Sequence, residues 1–322
     1  MQAMPIRLRA KRVPLLQSPP AANADDGSWT EFLPTRGVVL RRARAIRRGL
    51  LVLGWTFACM PVQGLLLLLP GPGKVAFARL YWAGLAWLIG LKIRVIGATP
   101  GAADRPVVFV SNHSSWLDIP VLGGTLRACF ISKDDVIGWP VVGLIARLGR
   151  TVYVRRRRAS TGRERDDMQG RLAGGDNLIL FPEGTTSDGS RVMPFRSAFL
   201  SVAALPVTQA GLPPLVQPVS VVYDRLGFLP AGRGARPIFA WYGDMDIGSH
   251  FWRLAQYSGL RATVLLHTPI DPARFADRKA LSAAVWHTVA AGAATLRQNR
   301  PAVPMTAGGT ADTAPARAPQ PA

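Results

Sequence analysis

The chain is expected to be an α/β protein: a mostly parallel mixed sheet flanked by helices, preceded by an N-terminal membrane-associated helical hairpin. Three observations carry this. From Lys92 onward, short apolar runs alternate with longer helix-like stretches, the pattern of a sheet with helices on its faces. Leu50–Leu69 is twenty residues without a charge, enough to cross a hydrocarbon core. Arg41, Arg42, Arg44, Arg47 and Arg48 stand directly ahead of it, as a cytoplasmic flank does.

Taken in order, residues 1–38 carry Pro, Ala and scattered charge with no sustained period, and read as a disordered basic arm. Residues 39–91 form the membrane-associated segment. The apolar run lies too far along the chain, and is too long, for a cleaved signal. Pro61 should kink it, and Pro70-Gly-Pro-Gly73 should turn it. Val75–Leu91 mixes apolar residues with Arg79, Tyr81, Trp82 and Trp87, which suits a helix lying in the interface. A hairpin, or a segment dipping into one leaflet, returns the chain to the cytoplasmic side; the alternative is a buried pair of soluble helices. Residues 92–300 are expected to form the α/β domain. Its strands are expected at Ile93–Ile96, Val107–Val110, Cys129–Ser132, Thr151–Val154, Leu178–Phe181, Leu215–Val222, Ile238–Trp241 and Ala262–His267. Helices are expected at Trp116–Gly123, Val141–Leu148, Gly162–Ala173, Ser197–Thr208, Ser249–Gly259 and Arg278–Gln298. Residues 301–322, rich in Pro, Ala, Thr and Gly, read as a disordered tail.

Net charge is +20, and all but five of the 39 basic residues are arginine. The planar guanidinium fork favours phosphate, so nucleic acid, anionic lipid headgroups or a phosphorylated substrate are the candidate partners; the competing reading is the general arginine bias of a high-GC genome. Nucleic acid is set aside for want of a zinc-finger spacing, an aromatic RNA-binding signature or a basic recognition helix. Two cysteines, Cys59 and Cys129, form no metal spacing or disulfide framework, which points to a reducing compartment and to no metal site.

Only three glutamates occur, and Glu183 alone follows a buried-strand pattern, in Phe181-Pro-Glu-Gly-Thr185. A carboxylate at the mouth of a core strand suggests work on a bound group, and Gly184 lets main-chain N–H groups approach a ligand oxygen. The strand at Val107–Val110 ends in Ser111-Asn-His-Ser-Ser-Trp-Leu-Asp118. A carboxylate near a histidine can accept from one ring nitrogen, fix the tautomer and leave the other nitrogen to take a proton. His113 and Asp118 therefore read as an oriented general base, set on a turn entering a helix. The competing reading is a surface or capping histidine. What favours the base is that His113 and Glu183 both follow apolar strands and so fall on one edge of a parallel sheet. Ser114 and Ser115 are not read as nucleophiles, because no G-x-S-x-G elbow exists. His250, His267 and His287 read as structural.

The order of these blocks resembles the glycerolipid acyltransferase family, over roughly Leu80 to Thr268, through H-x4-D and then FPEGT. The resemblance implies His113 as base, Asp118 as its partner, and no cofactor beyond an acyl thioester, acyl-CoA or acyl-ACP. It puts the phosphate-binding arginine at Arg156, within Arg150-Thr-Val-Tyr-Val-Arg-Arg156, although the glycine comes one place early at Gly149 and Arg155 stands where an acid is common. Arg155 and Arg156 are thus both headgroup candidates, against a solvated basic run. Carried over likewise, Glu183 and Gly184 help bind the acceptor, and main-chain N–H groups near Gly184 are candidate oxyanion donors. Thr185 is a candidate cap, Pro218 a wall of the acyl pocket or part of a plain strand with an edge proline, and Arg196 a binding residue beside a serine, Ser197, that replaces the family glycine. The implied reaction moves an acyl group onto a lysolipid hydroxyl at the inner membrane, with the catalytic domain facing the cytoplasm. The first choice of acceptor is 1-acylglycerol 3-phosphate, and the alternative is a lyso-ornithine lipid or another bacterial lysolipid. A non-catalytic basic module on anionic membrane is the rival class.

Overall fold

The computed structural model describes residues 37–100, 105–133, 145, 148–154 and 161–308. Two helices come first, α1 (Val38–Leu68) and α2 (Gly73–Ile89). Then follow β1 (Leu91–Ile96), β2 (Val107–Ser111), α3 (Asp118–Thr125), β3 (Cys129–Lys133), β4 (Val152–Val154), α4 (Thr161–Ala173) and β5 (Leu178–Leu180). A 3-10 segment, Ser197–Ala204, leads to β6 (Leu215–Leu226) and its short partner β7 (Leu229–Pro230). The described chain continues through α5 (Arg236–Phe239), α6 (Ile247–Ala255), β8 (Leu260–Leu266) and α7 (Arg278–Arg297).

The strands form one sheet in the order β1-β8-β6-β2-β5-β3-β4, with β7 on β6. From β6 to β4 all neighbours are parallel, as crossover helices require. β8 runs antiparallel to β6, and β1 pairs with β8 in parallel. Strand–helix alternation carries no sign for strand direction, and the β6–β7 turn reverses the chain. One sheet face presents Val108, Val110, Leu178, Leu180 and Val216 to a core completed by Leu172 of α4, Leu200 and Leu205 of the 3-10 segment, and Leu281, Val285 and Val289 of α7.

Several expectations need correction. Ile238–Trp241 is not a strand: Pro237 lies in the first turn of α5, where a missing N–H costs nothing. The helix expected over Ser197–Thr208 is a shorter 3-10 segment. Pro218 is not on an edge, since β6 lies between β2 and β8. The tail expected from residue 301 is ordered at its start: Thr268 N–H donates to the Met305 carbonyl and Met305 N–H to His267 Nδ1. The expected basic arm, apart from its last two residues, most of Val141–Leu148, and residues 309–322 lie outside the described residues.

α1 inverts the usual amphipathic order. Its buried residues include Arg48, Thr56 and Gln63, while Leu50, Leu53, Phe57, Leu65 and Leu68 stand exposed. Polar groups turned to protein and aliphatic groups turned outward suit an outer face covered by hydrocarbon. The helix runs on through Pro61. It is fastened at two levels. Arg44 donates to the Gln256 carbonyl at 2.9 Å, and Arg48 to the carbonyls of Ala255 at 3.0 Å and Tyr257 at 2.6 Å. Gln63 donates to the Leu148 carbonyl at 2.8 Å. These levels are about 22 Å apart along the helix axis, so α1 lies along the body of the protein. Arg44 and Arg48 therefore do not act as free flanking charges; they satisfy orphan carbonyls at the end of α6. Gly90, at φ 87°, lets the chain pass beneath Arg48, where a Cβ would collide with the guanidinium.

Candidate active site

β2 and β5 are neighbours with Val110 level with Leu180. His113 and Glu183 each come three residues later, so their loops leave the sheet side by side. The step before His113 is pinned by Asn112, whose amide donates to the Val221 carbonyl at 2.9 Å and accepts from Val221 N–H at 2.8 Å. The side chain thereby extends the β2–β6 pairing beyond the end of β2.

His113 Nδ1 lies 2.8 Å from Asp118 Oδ2. The same oxygen accepts from the N–H groups of Ser114 at 2.8 Å and Ser115 at 3.0 Å, and Oδ1 accepts from the Tyr223 hydroxyl at 2.6 Å. Asp118 is fully buried, whereas the His113 side chain keeps 19 % of its surface exposed. Asp118 opens α3, where the positive end of the helix dipole favours a negative charge. An ionised Asp118 can only accept, so Nδ1 carries the proton and Nε2 presents a lone pair. The imidazole stacks on Phe181 with centroids 4.1 Å apart. Burial beside Asp118 raises the Tyr223 hydroxyl well above its ordinary value, which keeps it protonated and donating.

Glu183 is 2 % exposed and holds two loops together. One oxygen accepts from His113 N–H at 2.8 Å, the other from Met193 N–H at 3.1 Å. Burial pushes its carboxyl up to about 8, while the two N–H donors pull the other way. Ser187 N–H closes the arrangement on the His113 carbonyl at 2.9 Å. Gly184 adopts φ 71°, and its N–H donates to the Phe181 carbonyl at 3.1 Å. Thr185 is exposed, in a bend followed by loop. Arg196 is exposed, and its N–H donates to the Pro182 carbonyl at 2.9 Å. Pro218 lies inside the sheet opposite Val110, its carbonyl taken by His267 N–H at 3.0 Å. Arg155 and Arg156 lie outside the described residues. Among the described residues, no group of three or more His, Cys, Asp or Glu is disposed to hold a metal.

Asn112, Phe181 and Tyr223 are the members that sequence reasoning missed. Asn112 and Phe181 adjoin the singled-out residues, but neither carries a titratable group that would mark it. Tyr223 joins only through sheet pairing, 105 residues from Asp118.

His250 and His267 are each 1 % exposed. His250 Nδ1 accepts from Trp116 Nε1 at 2.9 Å, and His267 Nε2 meets the Ser220 hydroxyl at 2.9 Å. Burial lowers both to about 4. The unfolded chain therefore takes up these protons first as pH falls below about 6.5, and each histidine removes roughly 3 kcal/mol of stability by pH 4. Glu183 acts with the opposite sign: its folded value lies above the unfolded one, so stability falls as pH rises toward 8. The thermal midpoint in detergent should peak near pH 6.5 and decline on both sides. Glu183→Gln should flatten the alkaline decline from a lower starting value, because its amide would face Met193 N–H. An unchanged alkaline slope would show that Glu183 is not the group responsible.

A family described as Acyltransferase matches residues 92–222. The lyso-ornithine lipid O-acyltransferase of Brucella abortus (strain 2308) is 36% identical over 238 residues, covering 73% of this chain and 88% of that one. A 1-acyl-sn-glycerol-3-phosphate acyltransferase of Neisseria gonorrhoeae is 30% identical over 196 residues, or 59% of this chain and 71% of that one. The crystal structure of the 1-acyl-sn-glycerophosphate acyltransferase from Thermotoga maritima superposes with a TM-score of 0.53 at 23% identity, over 79% of this chain and 98% of that one, and shows the shared fold.

Proposed function

Because the chain belongs to the glycerolipid acyltransferase family, we propose that it moves a fatty acyl group from a thioester to the hydroxyl of a lyso-ornithine lipid. It is an acyltransferase acting on a lysolipid; the ornithine headgroup follows the higher identity and wider coverage of the lyso-ornithine relative. The observation that carries the chemistry is the 2.8 Å contact between His113 Nδ1 and a fully buried Asp118, on an imidazole side chain that keeps 19 % of its surface exposed.

In the proposed reaction, His113 Nε2 takes the hydroxyl proton as the oxygen attacks the thioester carbonyl. Asp118 stabilises the imidazolium that forms. Collapse of the tetrahedral intermediate expels the thiolate, which takes the proton back from His113. The thioester is already activated, so no acyl-enzyme is required. Either acyl-CoA or acyl-ACP meets this need, and the basic surface attracts both. The outward aliphatic face of α1 supports seating in one leaflet, since α1 is fastened to the body along its length. On the proposed cytoplasmic side of the inner membrane, both thioesters are within reach.

The test is transfer by the purified chain in micelles, with lyso-ornithine lipid and 1-acylglycerol 3-phosphate each offered both thioesters. The expected result is kcat/KM at least about tenfold higher for lyso-ornithine lipid, a difference of about 1.4 kcal/mol. Transfer to 1-acylglycerol 3-phosphate alone would reject the ornithine reading and keep the acyltransferase.

A further inference from the structure

Beside the edge strand β1, a cavity of about 210 Å³ is bordered by Arg94 of β1, Arg225 of β6, Arg261 of β8 and Arg300 just beyond α7. Among the described residues, Asp224 is the one carboxylate that lines it. Asp224 belongs to Arg261, whose nitrogens it meets at 2.9 and 2.6 Å. Among the described residues, no ion pair reaches Arg94, Arg225 or Arg300. Arg225 stands opposite Arg261 in the β6–β8 pairing, a like-charge placement that weakens a sheet. Nor is the Arg300 side chain needed as a helix cap. The last carbonyls of α7 are already taken: Ala294 by Gln298 N–H, Thr295 by Arg300 N–H, Leu296 by Asn299 N–H and Arg297 by the Arg236 side chain. Guanidinium groups gathered from separate elements in this way suit an anion placed among them.

The hairpin next to this cavity carries the second observation. β6 and β7 are joined by Gly227 and Phe228 alone, with Leu226 level with Leu229. Both turn residues have positive φ, 62° and 69°, in a kind of turn that takes Asn, Asp or Gly. A phenylalanine held there is strained. Phe228 is nevertheless 66% exposed and Leu229 70% exposed, so packing alone does not repay that strain. Arg225 ties tip and cavity together, donating to the Phe228 carbonyl at 3.3 Å. The tip also lies close to α1. Gly227 N–H donates to the Ser258 carbonyl and Phe228 N–H to the Gly259 carbonyl, just past the Gln256 and Tyr257 carbonyls that hold Arg44 and Arg48.

We propose that the β6–β7 tip is a second membrane contact: Phe228 and Leu229 enter the acyl region, while Arg94, Arg225 and Arg300 take the phosphate of an anionic phospholipid. An apolar tip rimmed by arginine matches the layering of a bilayer surface, hydrocarbon below and phosphate above. The inference rests on the seating of α1 in one leaflet. The charge would equally suit an acidic carrier protein; the strained, exposed tip is what favours lipid.

The test reads depth at two places in the full chain. Cys59 and Cys129 are buried, so Leu229→Cys and, in a second sample, Leu53→Cys each direct a fluorophore to one site. Each sample is placed in nanodiscs of phosphatidylcholine, with or without phosphatidylglycerol, whose acyl chains carry a bromine quencher. The probe at 53 should be quenched in both. The probe at 229 should be quenched at least about threefold more with phosphatidylglycerol, and Arg225→Gln with Arg300→Gln should abolish that gain. Should this double variant melt low, Arg94→Gln replaces it with the same pattern at smaller size. Phe228→Asn, suited to the same φ, should keep the thermal midpoint and lower partition onto anionic vesicles by about tenfold. Quenching at 53 but not at 229 would overturn the contact and leave α1 seated. No quenching at either place would remove both. Quenching at 229 that ignores phosphatidylglycerol and the arginines would overturn the phosphate grip. A double variant that raises KM for acyl-ACP with quenching unchanged would assign the arginines to the carrier protein and likewise overturn the proposal.

Discussion

Replacing His113 by alanine is expected to lower kcat by on the order of 10³, in line with the typical contribution of a positioned general base. The fold should survive. Both main-chain links at this residue, His113 N–H to Glu183 and Ser187 N–H to the His113 carbonyl, do not depend on the imidazole. What the ring itself contributes to stability is its stacking on Phe181, worth about 1 kcal/mol. Sedimentation with anionic vesicles should be unchanged, because the outward face of α1 is untouched. The measurement is single-turnover transfer beside a melting curve. Transfer within tenfold of wild type would remove His113 as the base, and lost vesicle binding would show that the substitution disturbs more than chemistry.

Asp118→Asn should cost about 10²- to 10³-fold in kcat with little change in KM. The amide oxygen can still accept from Ser114 N–H, Ser115 N–H and His113 Nδ1, while the amide nitrogen can donate to the Tyr223 oxygen, so the geometry has a route to survive. What disappears is the negative charge opposite the imidazolium. At about 4 Å and an effective dielectric of about 20, such an attraction is of the order of 4 kcal/mol. Tyr223→Phe provides the contrast. It removes one hydrogen bond to Asp118 and keeps the charge, so the loss should stay near tenfold, with thermal destabilisation from an unmet carboxylate oxygen. Equal kinetic losses in the two variants would mean that the carboxylate acts by positioning alone.

The grouping of the candidate residues could be read in advance because neighbouring parallel strands bring their ends to one edge of the sheet. His113 and Glu183 each follow a short apolar run, and parallel pairing of β2 with β5 brings the ends level. Length and alternation gave the strands from β1 to β6 within a few residues. Other features had no local signature. Tyr223 reaches Asp118 only because β6 outlasts β2 in the sheet, and Asn112 looks like any polar residue at a strand end. Arg48 illustrates a misreading: in sequence it belongs to a basic flank, whereas in space it is 8 % exposed and bound to two carbonyls. Charge runs carry no record of which members find a partner across 200 residues. The antiparallel β8 escaped for a related reason, since its direction is set by how the chain returns through α5 and α6.

The fastening of α1 means that this helix is not an interchangeable tether. Swapping it for another hydrophobic anchor, or trimming it to make a water-soluble enzyme, would strip hydrogen-bond donors from Gln256, Ala255, Tyr257 and Leu148 at once. A carbonyl that stays buried under a substitute helix without a donor costs about 1–3 kcal/mol, so the substitute would have to supply matching partners. The contact chain also runs inward, from Arg48 to α6 and from His250 of α6 to Trp116 in the loop between β2 and α3. Anchor and chemistry are parts of one scaffold and would have to be redesigned together.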